Sequence, residues 1–201
     1  VTSLFSTELP AAHVSVQGYP SRMPELDFDL DLAVLVAGCS KNTGAIAERI
    51  REEGVPVMIV TAMPALVNEI AQAQGYTLLK EDLLSPDIMV DGEGLPEDDD
   101  FNIEPYPLTA ARLKSLNYRM GDWIVATYRE KRSAFALAFE FVRRPLSLDF
   151  VFTTAIQNAA VGLVALIPGA DMPVMTLNQA KMMLQIAGAY GHELGKDRLF
   201  E

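Results

Sequence analysis

The sequence predicts an α/β fold, in which a small Rossmann-like parallel sheet with helices is followed by a mainly helical C-terminal region containing a helical hairpin. Three observations carry this expectation. Two apolar runs, 31–38 (DLAVLVAG) and 55–61 (VPVMIVT), bracket a segment of helical periodicity. A stretch rich in acids, prolines and glycines follows at 82–107. Beyond it apolar residues recur at helical spacing, and two apolar segments, 150–170 and 171–191, are joined by a Pro/Gly turn. Half of the 201 residues are hydrophobic, enough to bury a sizeable core.

Taken in order, the alternating run 13–17 (HVSVQ) predicts an edge strand. Asp27, Asp29 and Asp31 alternate in DFDLD, which sets three carboxylates on one side of an extended chain. Such a run suggests a cation site, although a solvated lead-in to a buried strand is the plainer expectation. The run 31–38 reads as that strand, 39–43 as a turn, and 44–53 as a helix with Ile46, Ala47 and Ile50 on its inner face. Gly54 stops the helix, and 55–61 is a second apolar strand, so the three form a βαβ unit with parallel strands and a right-handed crossover. A helix over 64–74, stopped by Gly75, and a third strand over 76–79 complete the α/β region.

The formal net charge of −11 arises almost entirely at 81–104, which holds ten acids and no Lys or Arg. With four prolines and two glycines at 82–107, this reads as a solvated, mobile loop between two regions. The expected organisation is therefore 1–92 as the α/β region, 93–107 as an acidic linker, and 108–201 as the helical region. No basic stripe is present to follow a phosphate backbone, so nucleic acid is not an expected partner. In the helical region Thr109 caps a helix with Leu113, Leu116, Met120 and Trp123 at three- and four-residue spacing. The segment 134–142 is apolar nearly all round, which requires burial, and Pro145 is expected to close it.

Few residues carry chemistry. The turn between Gly38 and Gly44 offers Ser40, Asn42, Thr43 and Gly44 at a helix N-terminus, where backbone N–H groups favour anions. The P-loop pattern fails, because five residues rather than four separate the glycines and Ala45 stands where the lysine should be. The residue types are closer to the phosphate loop of flavodoxins, but the spacing is shorter, and an ordinary βα turn is expected. The alternative is a phosphate-, nucleotide- or FMN-binding α/β enzyme that uses this loop. After the second strand, Thr61-Ala62-Met63-Pro64 provides no carboxylate for a guanine base. His13 and His192, the two histidines, lie far apart with no acidic or cysteine partner at ligand spacing and so read as neither a triad nor a zinc site, and the lone Cys39 reads as a small buried hydrophobe. No catalytic residue, metal ligand or cofactor is assigned. Residues 1–24 lack the basic and apolar blocks of a signal peptide.

The strongest signal is the pair of apolar segments. The first is uncharged over 150–170 and is preceded by Arg143 and Arg144, the flank of a membrane segment. Against that reading, Thr153, Thr154, Gln157 and Asn158 share one face and Pro168 ends the run at barely spanning length, so a buried core helix is expected. The second places Asn178, Lys181 and Gln185 opposite Leu177, Leu184 and Ala187, with Thr176 and Gln179 in a capping-box pattern. Asp171, between Gly169 and Pro173, is expected to brace the turn. The residues expected to shape this hairpin are Gln157, Asn158, Pro168, Gly169, Asp171, Pro173, Asn178, Gln179 and Lys181.

The run Ile167-Pro168-Gly169-Ala170-Asp171-Met172-Pro173, followed by Thr176-Leu177-Asn178-Gln179-Ala180-Lys181, resembles the signature of the YcjF-like bacterial proteins, a domain of unknown function (number 697). That family has no settled biochemistry; its members are often predicted to be membrane-associated, and some accompany GTPase-like domains. The resemblance implies a non-catalytic interaction or regulatory module that acts through the helical hairpin and is either cytoplasmic or peripheral to, or inserted in, the inner membrane. Its expected partner is another protein or a second copy of the chain. The resemblance breaks off at Glu201, where further helix is expected, and the sequence begins with Val, so a trimmed fragment is expected.

Overall fold

The structure, a computed structural model, describes residues 1–18, 29–86, 104–164 and 172–192. Two compact units are present. The first comprises Val1–Thr2 and Val14–Trp123, the second Ser3–His13 and Ile124–Glu201.

The first unit holds the small parallel sheet and its helices, and it runs on to Trp123, beyond the boundary expected at 107. Strands β1 (Ala33–Val36), β2 (Val57–Val60) and β3 (Leu83–Leu84) form a parallel sheet in the order β1-β2-β3, with Ala33 opposite Val57 and Ile59 opposite Leu83. Helices α1 (Thr43–Glu52) and α2 (Pro64–Ala73) make the two crossovers. Their inner residues Ile46, Ala47, Ile50, Val67 and Ala71 form one core with Ala33, Leu35, Val57 and Ile59. Strand β2 is buried at all four positions, as expected of a central parallel strand covered on both faces. Gly54 and Gly75 end the two helices with φ of 78° and 85°, a left-handed conformation that costs glycine little.

Two expected strands are absent. The segment 76–79 is extended but unpaired, and a short 3-10 turn, Lys80–Asp82, separates it from the residues that do join the sheet. Leu78 fills the core from there, while Leu83 and Leu84 take the pairing with β2. The segment 13–17 is not a strand either: Val14 and Val16 are both exposed, so the alternation has no buried face to serve.

Helix α3 (Ala110–Thr127) starts in the first unit, with the Thr109 side chain accepting from the Arg112 N–H at 3.3 Å, the cap the sequence predicts. It runs antiparallel to the segment after the second crossover. Arg112 donates to the Pro86 carbonyl at 3.3 Å, Arg119 to the Ser85 carbonyl at 3.0 Å, and the Trp123 indole to Asp82 at 3.1 Å. Asp82 also accepts from Arg51 of α1 at 2.8 Å, so one nearly buried carboxylate ties α1 to α3. Burial lowers the pKa of Arg119 from the usual arginine value.

The second unit is helical. Helix α4 (Arg132–Ala138) and helix α5 (Glu140–Val164) are separated by Phe139, whose extended backbone breaks the run. Pro145 does not close the segment, contrary to expectation. It lies buried inside α5 as the sixth residue, and the helix continues past it without a Pro145 N–H to donate to the Phe141 carbonyl. Phe5 packs edge-on against Phe139 and Phe141, with ring centroids 5.1 and 5.2 Å apart. Helix α6 (Met172–Ala189) returns along α5.

Candidate functional site

Helices α5 and α6 form the expected antiparallel hairpin, with an unexpected distribution of polarity. Along α5 the inward positions after Phe150 are Thr154, Asn158 and Val161, at spacings of four, four and three. Along α6 they are Met175, Asn178, Met182, Ile186 and Ala189. Asn178 Nδ2 donates to Asn158 Oδ1 at 2.9 Å across the two helices. One step further toward the tip, Gly162 lets the Met175 methyl approach: a Cβ on Gly162 would lie 3.2 Å from Met175 Cε.

The outward side is apolar. Phe152 is 69% exposed, Ile156 56%, Leu163 88% and Leu177 70%, joined by Val151, Met172 and Met183. Of the described residues 150–164 and 172–190, Lys181 alone carries a formal charge. The hairpin therefore buries one amide pair, Asn158 and Asn178, among apolar inward residues, and leaves large apolar side chains exposed beside Gln157, Gln179 and Gln185. This corrects two expectations. The first arm is not a buried core helix: between residues 151 and 163 only Thr154 is buried. The second arm points Asn178, not Leu177, at its neighbour, since the amide has a partner in Asn158 there.

Of the hairpin residues expected from sequence, the structure brings Asn158 and Asn178 together. Gln157, Pro173, Gln179 and Lys181 are exposed, while Pro168, Gly169 and Asp171 lie outside the described residues. The Thr176 hydroxyl donates back to the Met172 carbonyl at 2.8 Å, within the helix and not in a capping box. Thr154 was not singled out from sequence as an inward residue; its four-residue spacing to Asn158 was the available signal.

The root of the hairpin is aromatic and basic. The Arg132 guanidinium pairs with Asp149 at 2.5 Å and lies over the Phe150 ring at 5.1 Å. Arg143 donates to the Ala136 carbonyl at 3.1 Å and lies over Tyr190 at 5.8 Å. Segment 129–149 holds five Lys and Arg against three acids, in contrast to the acidic chain as a whole.

The Ser40, Asn42, Thr43 and Gly44 turn sits after β1, and its groups have local uses. Ser40 Oγ accepts from the Asn42 N–H at 3.2 Å, and the buried Thr43 hydroxyl donates to the Ser40 carbonyl at 3.3 Å. A Cβ at Gly44 would stand 2.7 Å from Tyr76 Cβ, so glycine is needed there for packing. Cys39 is exposed and not a buried hydrophobe, because it begins the turn where the chain leaves the sheet. His13 and His192 are exposed. Asp29 and Asp31 are exposed, Asp27 lies outside the described residues, and among those residues no group of three His, Cys, Asp or Glu could hold a metal. Most of the acidic segment, 87–103, also lies outside them.

No family model, curated protein or solved structure matches the chain. The hairpin itself, and not a likeness, is what bears on function. Helix α5 is long and apolar enough by composition to cross a membrane over Glu140–Leu163, and only 17% of its most apolar eighteen residues are buried.

Proposed function

We propose that this protein is a non-catalytic interaction module that attaches peripherally to the inner face of a bacterial membrane by dipping the α5–α6 hairpin into one leaflet. The large apolar side chains that the hairpin leaves exposed carry this reading. In water, exposed Phe152, Ile156, Leu163 and Leu177 are each a cost of about 1.5–3 kcal/mol relative to burial, whereas in lipid they are at home. Conversely, an amide pair such as Asn158 and Asn178, and a close contact at glycine, are how helices associate where the surroundings are apolar.

The return of α6 alongside α5 favours insertion from one side over spanning; from Phe150 to Leu163 the inserted part of α5 rises about 20 Å at 1.5 Å per residue. Lys181 lies on α6 near the level of residue 155 and is long enough to reach the interface. Tyr190 and the arginines at the root suit the headgroup layer. The resemblance to YcjF-like proteins points the same way.

Sedimentation with liposomes tests the reading. Ile156→Lys changes the cost of placing that position in lipid by about 3 kcal/mol, which should lower the partition coefficient roughly a hundredfold. Recovery of the protein in the supernatant with every lipid mixture would refute the proposal.

A further inference from the structure

At the root of the hairpin, within the second unit, lies an open pocket of about 400 Å³. One wall is cationic and hydrogen-bonding, formed by Arg129, Arg132 and Ser133; the other is apolar, formed by Phe150, Leu184 and Ala189. The Arg132 guanidinium is held at the wall by Asp149 and the Phe150 ring. Arg129 is exposed and takes part in no ion pair or side-chain hydrogen bond among the described residues. Two guanidinium groups beside one carboxylate leave a net positive charge at the pocket. Arginine meets a phosphate with two N–H groups at once, and a hydroxyl beside it adds a third donor.

The pocket's position selects among anions. Phe150 is the first residue of the uncharged stretch 150–170, so the pocket lies where the basic root of the hairpin meets its apolar arm. We infer that this pocket binds the phosphate headgroup of an anionic phospholipid, with Arg129, Arg132 and Ser133 on the phosphate and Phe150 and Leu184 against the root of the acyl chains. The inference rests on the membrane reading above, which places this pocket at headgroup depth. A volume of about 400 Å³ is within the range of small-molecule sites and accommodates a phosphoglycerol group.

The test compares vesicles of phosphatidylcholine alone with vesicles that also contain phosphatidylglycerol, using the full chain and partition coefficients. The wild type should prefer the anionic vesicles at least tenfold. Ser133→Trp fills the pocket without changing charge and should abolish that preference while leaving binding to phosphatidylcholine intact; Gln185→Trp, at the same pocket, replaces it if the first variant does not fold. Arg129→Ala should lower anionic binding about tenfold or more. Arg144→Ala, exposed and outside the pocket, should cost no more than about fivefold, the effect of one cation near an anionic surface. A preference that survives both plugs, or equal losses for Arg129→Ala and Arg144→Ala, would show diffuse attraction and overturn the site. Equal binding of the wild type to both vesicles overturns it too, whereas no binding to any vesicle overturns the membrane reading instead. Glycerol 3-phosphate should not raise the melting temperature without lipid; a rise would assign the pocket to a soluble phosphate.

Discussion

Gly44 provides a direct test of why the first turn contains the residues that it does. A phosphate loop needs this glycine for a ligand, whereas the structure needs it for Tyr76. The Cβ of Gly44→Ala would lie 2.7 Å from Tyr76 Cβ and 3.0 Å from both Cγ and Cδ2. Carbon atoms prefer about 3.5–4.0 Å, and Tyr76 Cβ is fixed to its backbone, so the chain beyond Gly75 must shift. Overpacking of this kind costs about 1–3 kcal/mol, offset by at most about 1 kcal/mol of improved helix propensity at the start of α1. The net expectation is a loss of about 1–2 kcal/mol, read from urea unfolding. A double-mutant cycle assigns the cause. In a Tyr76→Gly background, where all three close atoms are gone, Gly44→Ala should be neutral or slightly stabilising, and in Tyr76→Ala, which retains Cβ, only part of the cost should vanish. An equal cost in all three backgrounds would refute the packing account.

Other outcomes follow from single contacts. Asp82→Ala should destabilise by about 2–4 kcal/mol in chemical denaturation, because it removes the acceptor that Arg51 Nη2 and the Trp123 indole N–H share, while Asp82→Asn retains an acceptor for Trp123 and should cost less. Asn158→Leu should cost about 1–2 kcal/mol by leaving Asn178 without its acceptor, yet the Asn158→Leu, Asn178→Leu double variant should be close to neutral in thermal unfolding. Ala160→Leu should change stability by less than about 0.5 kcal/mol, since Ala160 is exposed; a loss above 1 kcal/mol would mean that the arm is packed in water after all.

The α/β fold was legible because β1, α1, β2 and α2 each carry a strong local signal: unbroken apolar runs for the strands, an inward stripe for the helices, and Gly54 and Gly75 at their ends. The third strand was misplaced because Tyr76–Leu79 has the better β composition, whereas Leu83 and Leu84 are two residues within an acidic run; pairing with Ile59 and Val60 decided the matter. For the hairpin, the two arms and their antiparallel packing were legible, but which side faced inward was not. Periodicity identifies the faces of a helix but does not say which of them turns inward. Asn178 turned inward because Asn158 stands opposite, a pairing between residues twenty positions apart that no local pattern reveals. The pocket at the root depends likewise on α4, α5 and α6 converging.

The most direct measurement of the central claim is membrane depth at the hairpin's far end. A spin label at Leu163→Cys, in a Cys39→Ser background, starts from a position 88% exposed in the protein alone. With vesicles, it should lose access to a water-soluble relaxation agent and gain access to oxygen in the hydrocarbon, while a label at Ser133→Cys, at the root, should stay at headgroup depth. A Leu163 label that remains water-accessible when vesicles are in excess, or that is protected to the same degree without them, would contradict insertion of the hairpin.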